Sequence, residues 1–574
     1  MDLMKNLFNK GGIILSIWLI YTLFDLFGVR DMLFIHEHGL HERFIVNYIA
    51  SSAAFLCLII LIKEHLMSGK TKRAVAFIIL FLPLVVQLSY FGIYRKFVSA
   101  FGFSAFYEDP AMVFDLWINN LNIPKIILAF ILALGSLKIL KRLPGRFHWA
   151  ASAISSFIIV VVTSLMVFSW YSTPVFQNSV LAYAGSFLEM AKQKSYTHYK
   201  MDKPVIQLEK TDKILPNIIY IIGESTVLSH MSLFGYERNT TPGLVKLEKA
   251  RKIVTFDNCI SIGLMTRLSV PYMLAGLQGI DPKGVFYTYP TIFNYAKARG
   301  YATAMITAQD LSWGNLKNIL IDKDVDEFEN GTNFNPGLSV HKGADDTDVL
   351  ERGVMPYITK TKSPFLLVLQ MDGNHYPFNQ HSNKKNKIFL PETEPNCVNA
   401  FDNSVVETDL VLTKLIDEMR SKFPDSWIFF SPDHGQSLGG INGFYNDNYS
   451  SDVIHNPLIV SPPSAFVSIL SENRHAPLSQ SDIVPTILDL MDIKPVKPLD
   501  GYSILGKIPH DRLRVCSTYM PTFHNTPESV LVFPDLTYYF IDLDRKSVTL
   551  KDGKTTVKFD DMDKEYQDVF LRRM

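Results

Sequence analysis

The chain of 574 residues reads as a bundle of five apolar helices at the amino end, followed by a doubly wound α/β domain. Three observations predict this. The apolar surplus is concentrated in about the first 170 residues, whereas the rest has the composition of an ordinary globular protein. Beyond residue 216, short β-branched runs alternate with helical stretches, the pattern of strands and crossover helices in one sheet. Charge is balanced, 56 Lys and Arg against 56 Asp and Glu, which removes both the basic field expected of a nucleic-acid binder and the acidic excess of a disordered chain.

Crossing a hydrocarbon core takes about 20 residues of helix. Five segments suit that length: Gly12–Val29, Phe44–Ile62, Ala74–Tyr94, Pro124–Leu140 and Trp149–Tyr171. The first carries Asp25, and the fourth is short, flanked by Lys125 and Lys138. The first run lacks a small-x-small exit and is followed by further spans, so it reads as a retained helix and not as a cleaved signal. Lys5 and Lys10, then Lys63, Lys70, Lys72 and Arg73, then Lys138, Lys141, Arg142 and Arg146 fall on one side. The opposite loops hold only Arg30, Arg43, Arg95, Lys96 and Lys125. The basic side is the cytoplasmic one, so five spans put the amino terminus in the cytoplasm and everything after Tyr171 across the membrane. Between the third and fourth spans, residues 95–122 mix Phe101, Phe103, Phe106, Tyr107, Phe114 and Trp117 with few charges, which suits an interfacial segment or a packed loop. Cys57 lies in a span, leaving Cys259, Cys397 and Cys516 outside, so at most one disulfide can form among those three.

Three regions follow: a membrane domain over 1–171, a polar linker over 172–215 that is helical through Leu181–Lys194, and an α/β domain over 216–574. Asn217–Ile222, bounded by Pro216 and Gly223, has the continuous β-branched character of a buried parallel strand. Similar runs recur at Tyr301–Thr307, Phe365–Gln370, Trp427–Ser431 and Leu458–Ser461, with helical stretches such as Thr291–Arg299 and Phe401–Ser421 between them. From Arg514 onward short strands at Val530–Phe533, Tyr538–Leu543 and Val548–Leu550 predict an antiparallel appendage.

Ligand chemistry in an open α/β sheet collects at the carboxyl ends of its strands, and four groups of residues stand there. Glu224 follows the first strand directly and suits either a metal ligand or a helix-capping acid. Asp433-His434-Gly435 follows the strand at Trp427, an oxygen and nitrogen pair suited to Zn²⁺ or Mn²⁺ if other ligands converge on it, and otherwise a surface turn. Asp372-Gly-Asn-His375 ends another strand, and His455 and His475 lie near later ones; each lone histidine also fits a hydrogen-bonded structural role. In Ile262–Leu274, Thr266 or Ser269 stands near the start of a helix, where either is a helix cap or a nucleophile whose hydroxyl a metal could activate.

The order of these motifs is more specific than any one of them. Gly223-Glu-Ser-Thr226, Ser232-Leu-Phe-Gly-Tyr-Glu-Arg-Asn-Thr-Thr-Pro242, Thr266-Arg-Leu-Ser-Val-Pro271, Asp372-Gly-Asn-His375 and Ser431-Pro-Asp-His-Gly435 together resemble the membrane-anchored phosphoethanolamine transferases of Gram-negative bacteria, within the sulfatase and alkaline-phosphatase superfamily. The resemblance implies five membrane helices and a sulfatase-like periplasmic domain. It implies zinc on Glu224, Thr266, Asp433 and His434, with Thr266 as nucleophile and His375 near the phosphate or a second metal. It implies phosphatidylethanolamine as donor and lipid A, lipopolysaccharide or another envelope glycan as acceptor. The chain departs from that pattern in places. Ile262 and Tyr272 stand where relatives that modify lipid A often carry a cysteine pair, and Gln436 and Asn446-Asp447 stand where the family usually has Glu and His. Asn446, Asp447 or His455 could substitute at a second metal. No formylglycine-type Cys/Ser-x-Pro-x-Arg surrounds Thr266, which argues against a sulfatase. A phosphoglycerol transferase using phosphatidylglycerol is the nearest competing activity, and a non-catalytic lipid-binding scaffold the competing class.

Overall fold

The computed structural model describes residues 2–29, 42–94, 97–98, 103, 114, 118, 121–145, 149–168, 178–193, 203–278, 280–281, 284–311, 316–337, 343–438, 444–445, 449–518, 528–543 and 546–571. The chain separates into two compact units, Met1–Thr197 and His198–Met574.

In the first unit, apolar runs become helices α1 (Asp2–Phe24), α2 (Glu42–Leu61), α3 (Lys70–Tyr94), α4 (Ile123–Arg142) and α5 (Trp149–Phe168). Among the described residues, four helical stretches are long and apolar enough to cross a membrane: Lys10–Val29, Tyr48–Leu66, Lys70–Phe91 and Ile123–Arg142. The apolar stretch of α5 is shorter, Trp149–Ser164. Large side chains such as Ile78, Ile131 and Phe157 point outward, while Tyr21, Phe55, Leu80 and Ala133 pack inward, the inversion expected of helices solvated by lipid. Most of residues 95–122 lie outside the described set.

Asp25 is no surface charge. It lies buried in a π-helical extension of α1, Asp25–Val29, and its carboxylate accepts the backbone N–H of Ser179 at 2.9 Å and the Ser179 hydroxyl. Ser179 opens α6 (Ser179–Gln193), whose first-turn amides lack intrahelical acceptors and favour an anion. This polar joint fixes α6 within the first unit.

The second unit is built on an eight-stranded sheet in the order β10-β2-β9-β6-β1-β5-β3-β4. The strands are β1 (Ile218–Gly223), β2 (Val254–Ile260), β3 (Ala302–Thr307), β4 (Glu327–Glu329), β5 (Phe365–Gln370), β6 (Trp427–Pro432), β9 (His455–Ser461) and β10 (Leu478–Ser479). The short pair β7 (Ser437–Leu438) and β8 (Phe444–Tyr445) stands apart. Of the eight, β9 alone runs against the rest, antiparallel to both β2 and β6. Strands β1, β5 and β6 are buried along their whole length, which explains their unbroken apolar sequences. One face of the sheet presents Ile219, Ile221, Leu367, Leu369 and Phe430 to Phe401, Leu412 and Leu415 of the long helix α8 (Val398–Lys422). Each fully buried side chain of this size contributes roughly 1.5–3 kcal/mol.

Helix α8 also carries buried polar residues, and these organise the loops at the sheet edge. Asp402 accepts from Tyr236 at 3.0 Å and Arg238 at 2.8 Å and pairs with His230 Nδ1 at 2.7 Å. Asp409 takes the N–H groups of Gly243 and Leu244, both at 2.8 Å, at the start of helix α7 (Pro242–Lys249). The Ser232–Pro242 motif is thus a strap tied to α8. The carboxyl end folds as a separate five-stranded antiparallel sheet, Arg514–Ser517, Glu528–Val532, Tyr538–Asp542, Ser547–Thr549 and Thr556–Lys558.

Candidate active site and metal centre

Because β1, β3, β5 and β6 are parallel neighbours, the residues just beyond each of them, Glu224, Gln309, Asp372 and Asp433, emerge at one edge of the sheet. The chain crosses β1 with Gly223 pressed against the Phe430 ring, where an added Cβ would lie 2.8 Å from that ring. Only a residue without a side chain fits there. Ser225 follows in the left-handed region, φ 53°, which turns the chain sharply and aims Glu224 inward.

Glu224, Asp433 and His434 form the one metal-competent group of acidic, histidine or cysteine side chains among the described residues, with donor atoms within 4.8 Å of one another and all three buried. Asp433 Oδ1 accepts two backbone N–H groups, from His434 at 2.8 Å and Ser225 at 3.2 Å. Its Oδ2 is buried without a hydrogen-bond partner, 3.2 Å from His434 Nε2. His434 Nδ1 lies 2.8 Å from the Gly435 carbonyl, which can only accept, so Nδ1 carries the hydrogen and Nε2 offers its lone pair toward Glu224 Oε1 at 3.7 Å. Burial holds the His434 imidazole below its ordinary pKa and therefore neutral, against the pull of Glu224. Burial, and after it the Glu224 charge, pushes Asp433 well above the usual carboxylate range. Burial opposes ionisation of Glu224 too, but His434, His375 and hydrogen bonds from Ser225 and Gln309 bring it below its usual value. A carboxylate, an unpartnered carboxylate oxygen and an imidazole lone pair converge here, so a divalent cation fits the donor set.

Helix α9 runs Thr266–Ala275, and Thr266 is its first residue, 9% exposed. Its Oγ1 donates to Glu224 Oε2 at 3.0 Å. Ser269, the other hydroxyl the sequence left open, is buried one turn later against Gly263, where an added Cβ would stand 3.0 Å from Ser269 Oγ. Thr266 joins the cluster and Ser269 does not.

Gln309 is the residue sequence reasoning missed. Its Nε2 donates to Glu224 Oε2 at 2.8 Å and to the Met371 carbonyl at 3.2 Å, while its Oε1 accepts from Gln370 at 3.0 Å. An amide two residues beyond a strand carries no motif; its position at the end of β3 was the available signal.

His375 sits on a turn that packs against Glu224: Asn374 N–H donates to the Glu224 carbonyl at 3.0 Å, and the His375 Nδ1 donates to the Tyr376 carbonyl at 2.6 Å. His455 opens β9 opposite Ile260, and its Nε2 donates to the Asp257 carbonyl at 2.7 Å, outside the metal-competent group. His475 is exposed and pairs with the Asp257 carboxylate at 2.8 Å. Asn446 and Asp447 lie outside the described residues. The four cysteines are free thiols. Gly435 allows a close approach of two backbones: an added Cβ would stand 1.8 Å from the Asp452 carbonyl oxygen.

Residues 216–493 match the sulfatase family. A Kdo(2)-lipid A phosphoethanolamine 7''-transferase of Salmonella typhimurium is 26% identical over 231 residues, 38% of this chain and 39% of the relative. Phosphoethanolamine transferase EptA of Escherichia coli O157:H7 is 26% identical over 334 residues, 53% of this chain and 58% of the relative. The chain thus spans less than two thirds of these relatives. The integral membrane lipooligosaccharide phosphoethanolamine transferase A from Neisseria meningitidis superposes with a TM-score of 0.58 at 17% identity, covering 83% of this chain and 96% of that one, which establishes a shared fold. Apolar helices thus stand ahead of a stretch that matches the sulfatase family, and the chain is similar in sequence to membrane phosphoethanolamine transferases and shares the fold of one of them.

Proposed function

We propose that the protein moves phosphoethanolamine from phosphatidylethanolamine to lipid A, lipopolysaccharide or another envelope glycan, through a phosphoryl group held covalently on Thr266. The observation that carries this reading is the Thr266 hydroxyl at a helix start, 3.0 Å from Glu224 and beside the Asp433–His434 pair. That combination of nucleophile, carboxylates and imidazole serves phosphoryl transfer. Glu224, Thr266, Asp433 and His434 would hold a divalent cation, zinc by the donor set. When bound, such a cation supplies positive charge that acidifies a hydroxyl and offsets charge developing on phosphoryl oxygens.

The residues themselves divide the work. In the first half, the Thr266 Oγ–P bond forms as the P–O bond to diacylglycerol breaks; the threonine proton leaves toward Glu224 Oε2 and passes from there to the departing glyceride oxygen. In the second half, the acceptor oxygen attacks phosphorus and gives its proton up toward Glu224, the Thr266 Oγ–P bond breaks, and that proton returns from Glu224 Oε2 to Thr266 Oγ1. The amino-terminal end of α9, where Thr266 stands, suits the phosphoryl oxygens. His375, whose Nδ1 donates to the Tyr376 carbonyl, serves in this reading as a base or phosphate partner.

Two lipid reactants suit an enzyme anchored in a membrane. The excess of Lys and Arg in alternate loops supports a cytoplasmic amino terminus, with residues 216–574 in the periplasm as the catalytic domain and 172–215 as its linker.

Mass spectrometry of the full chain after incubation with phosphatidylethanolamine, and separately with phosphatidylglycerol, tests the reading. A phosphoethanolamine adduct on Thr266 that is absent from Thr266→Ala is expected. A phosphoglycerol adduct would reassign the donor, and transfer at the normal rate by Thr266→Ala would overturn the nucleophile.

A further inference from the structure

Beside the metal-competent group stands a second histidine that no motif picked out. Asp372, just past β5, is 5% exposed in its side chain, as is His381, and Asp372 Oδ2 lies 3.0 Å from His381 Nδ1. The same oxygen accepts Gly343 N–H at 2.7 Å. Gly343 packs so tightly that an added Cβ would lie 2.5 Å from the Asp372 carboxyl carbon. Two donors to one buried carboxylate keep it ionised, in line with an Asp372 pKa below the usual range: burial works against this, and the His381 and His375 imidazoles outweigh it.

The carboxylate so held is the hinge pin of the turn that bears His375. The turn is clamped from one side by Asp346, whose two oxygens accept Asp372 N–H and Gly373 N–H, each at 2.9 Å. On the other side it rests on the Glu224 backbone. Gly373 sits in the left-handed region at φ 44°, and a Cβ there would crowd Glu224, standing 3.1 Å from its N and O. The buried Asn374 side chain bonds Thr226 at 2.7 Å and Ser404 at 2.8 Å. The His375 and His381 rings lie 6.2 Å apart, edge to face.

We infer that His381 is a positioning residue: through Nδ1 it holds Asp372, and through the 371–376 turn it sets His375 and Glu224 relative to Thr266. This rests on the transfer reading above for its kinetic consequence, though not for its structural one. Such outer supports of a reactive centre characteristically cost about 10- to 100-fold in activity or metal affinity when removed.

The test uses two substitutions that mimic opposite ring nitrogens. Asparagine places an N–H where Nδ1 stands; glutamine places one where Nε2 stands. In the full chain in lipid nanodiscs, His381→Asn is expected to keep transfer within about threefold, whereas His381→Gln and His381→Ala lower kcat by about 10- to 100-fold with little change in KM. Histidine-selective ¹⁵N spectra provide a reading independent of activity: His375 resonances should stay in place in His381→Asn and move in His381→Gln and Asp372→Asn. Equal kcat in the Asn and Gln variants, or unmoved His375 resonances in all three, would overturn the inference. Failure of the wild type to transfer any head group would remove the transfer reading and leave the spectra to decide the role of His381.

Discussion

Replacing Gln309 by alanine isolates the support given to Glu224 from the ligands themselves. The amide donates to Glu224 Oε2 at 2.8 Å in a buried setting, and a hydrogen bond to a charged group is worth about 1.5–3 kcal/mol. Without it, Glu224 keeps Ser225 on Oε1 at 2.6 Å and Thr266 on Oε2, so the carboxylate is loosened and not abandoned. At about 1.4 kcal/mol per decade, that range corresponds to roughly 10- to 100-fold in cation affinity, the span expected for residues that orient a metal ligand. Competition for Zn²⁺ between the full chain and a chromophoric chelator measures it directly, and kcat for head-group transfer should fall in parallel. Gln309→Glu adds a third carboxylate beside Glu224 and is expected to change affinity with a steeper pH dependence. An alanine variant that binds Zn²⁺ as tightly as the wild type would refute the idea that Gln309 orients Glu224.

Other outcomes follow from single features. Asp433→Asn relieves the repulsion with Glu224, so the metal-free protein should melt higher while the stabilisation gained on adding Zn²⁺ disappears; differential scanning calorimetry with and without metal distinguishes the two effects. Gly435→Ala places a methyl against the Asp452 carbonyl and should destabilise the second unit by about 1–3 kcal/mol or more, with loss of bound metal read by elemental analysis. Asp322 is held below its usual pKa because hydrogen bonds from Asn294 and the Asp324 N–H, with Lys203, outweigh its partial burial. Its folded pKa lies below the unfolded one, so its stabilisation is present above about pH 4 and is lost as pH falls through the folded value. Asp322→Asn should flatten that acid limb of the melting curve by less than about 1 kcal/mol, the group being half-exposed. A green fluorescent protein fused ahead of Met1 should fluoresce in cells, and a dark fusion would invert the membrane orientation.

Much of the centre was legible because its supporting strands have no alternative reading. Ile218–Ile222, Phe365–Gln370 and Trp427–Ser431 are buried on both faces, so their sequences are unbroken apolar runs, and the acids behind them stand out. Glu224, Asp433 and His434 were marked in this way. Strand β2 was not, since Asp257 and Asn258 interrupt it at a bulge between Phe256 and Cys259. The reversal of β9 was equally hidden, because pairing direction leaves no trace in a strand's own composition. Thr266 and Ser269 could not be separated by spacing: both lie in the first turns of one helix, and only the approach of Glu224 decides between them. Gln309 acts through a partner far along the chain, 85 residues from Glu224, a relation that one-dimensional patterns do not encode. The Tyr236–Arg238 strap is a converse case, conspicuous in sequence yet occupied in anchoring to Asp402.

The separation in sequence between the two sides of the centre has a consequence for biogenesis. Ser225 bonds Asp433 across 208 residues, and β1, which carries Glu224, is zipped between β5 and β6, both made much later. A nascent chain therefore owns Glu224 and Thr266 long before it owns Asp433 and His434. Half a coordination set on an incomplete sheet has little grip on a cation, so any cation this group holds would be taken up only once the sheet is finished. A truncated product ending before β6 would lack Asp433 and His434 and with them the metal-competent group.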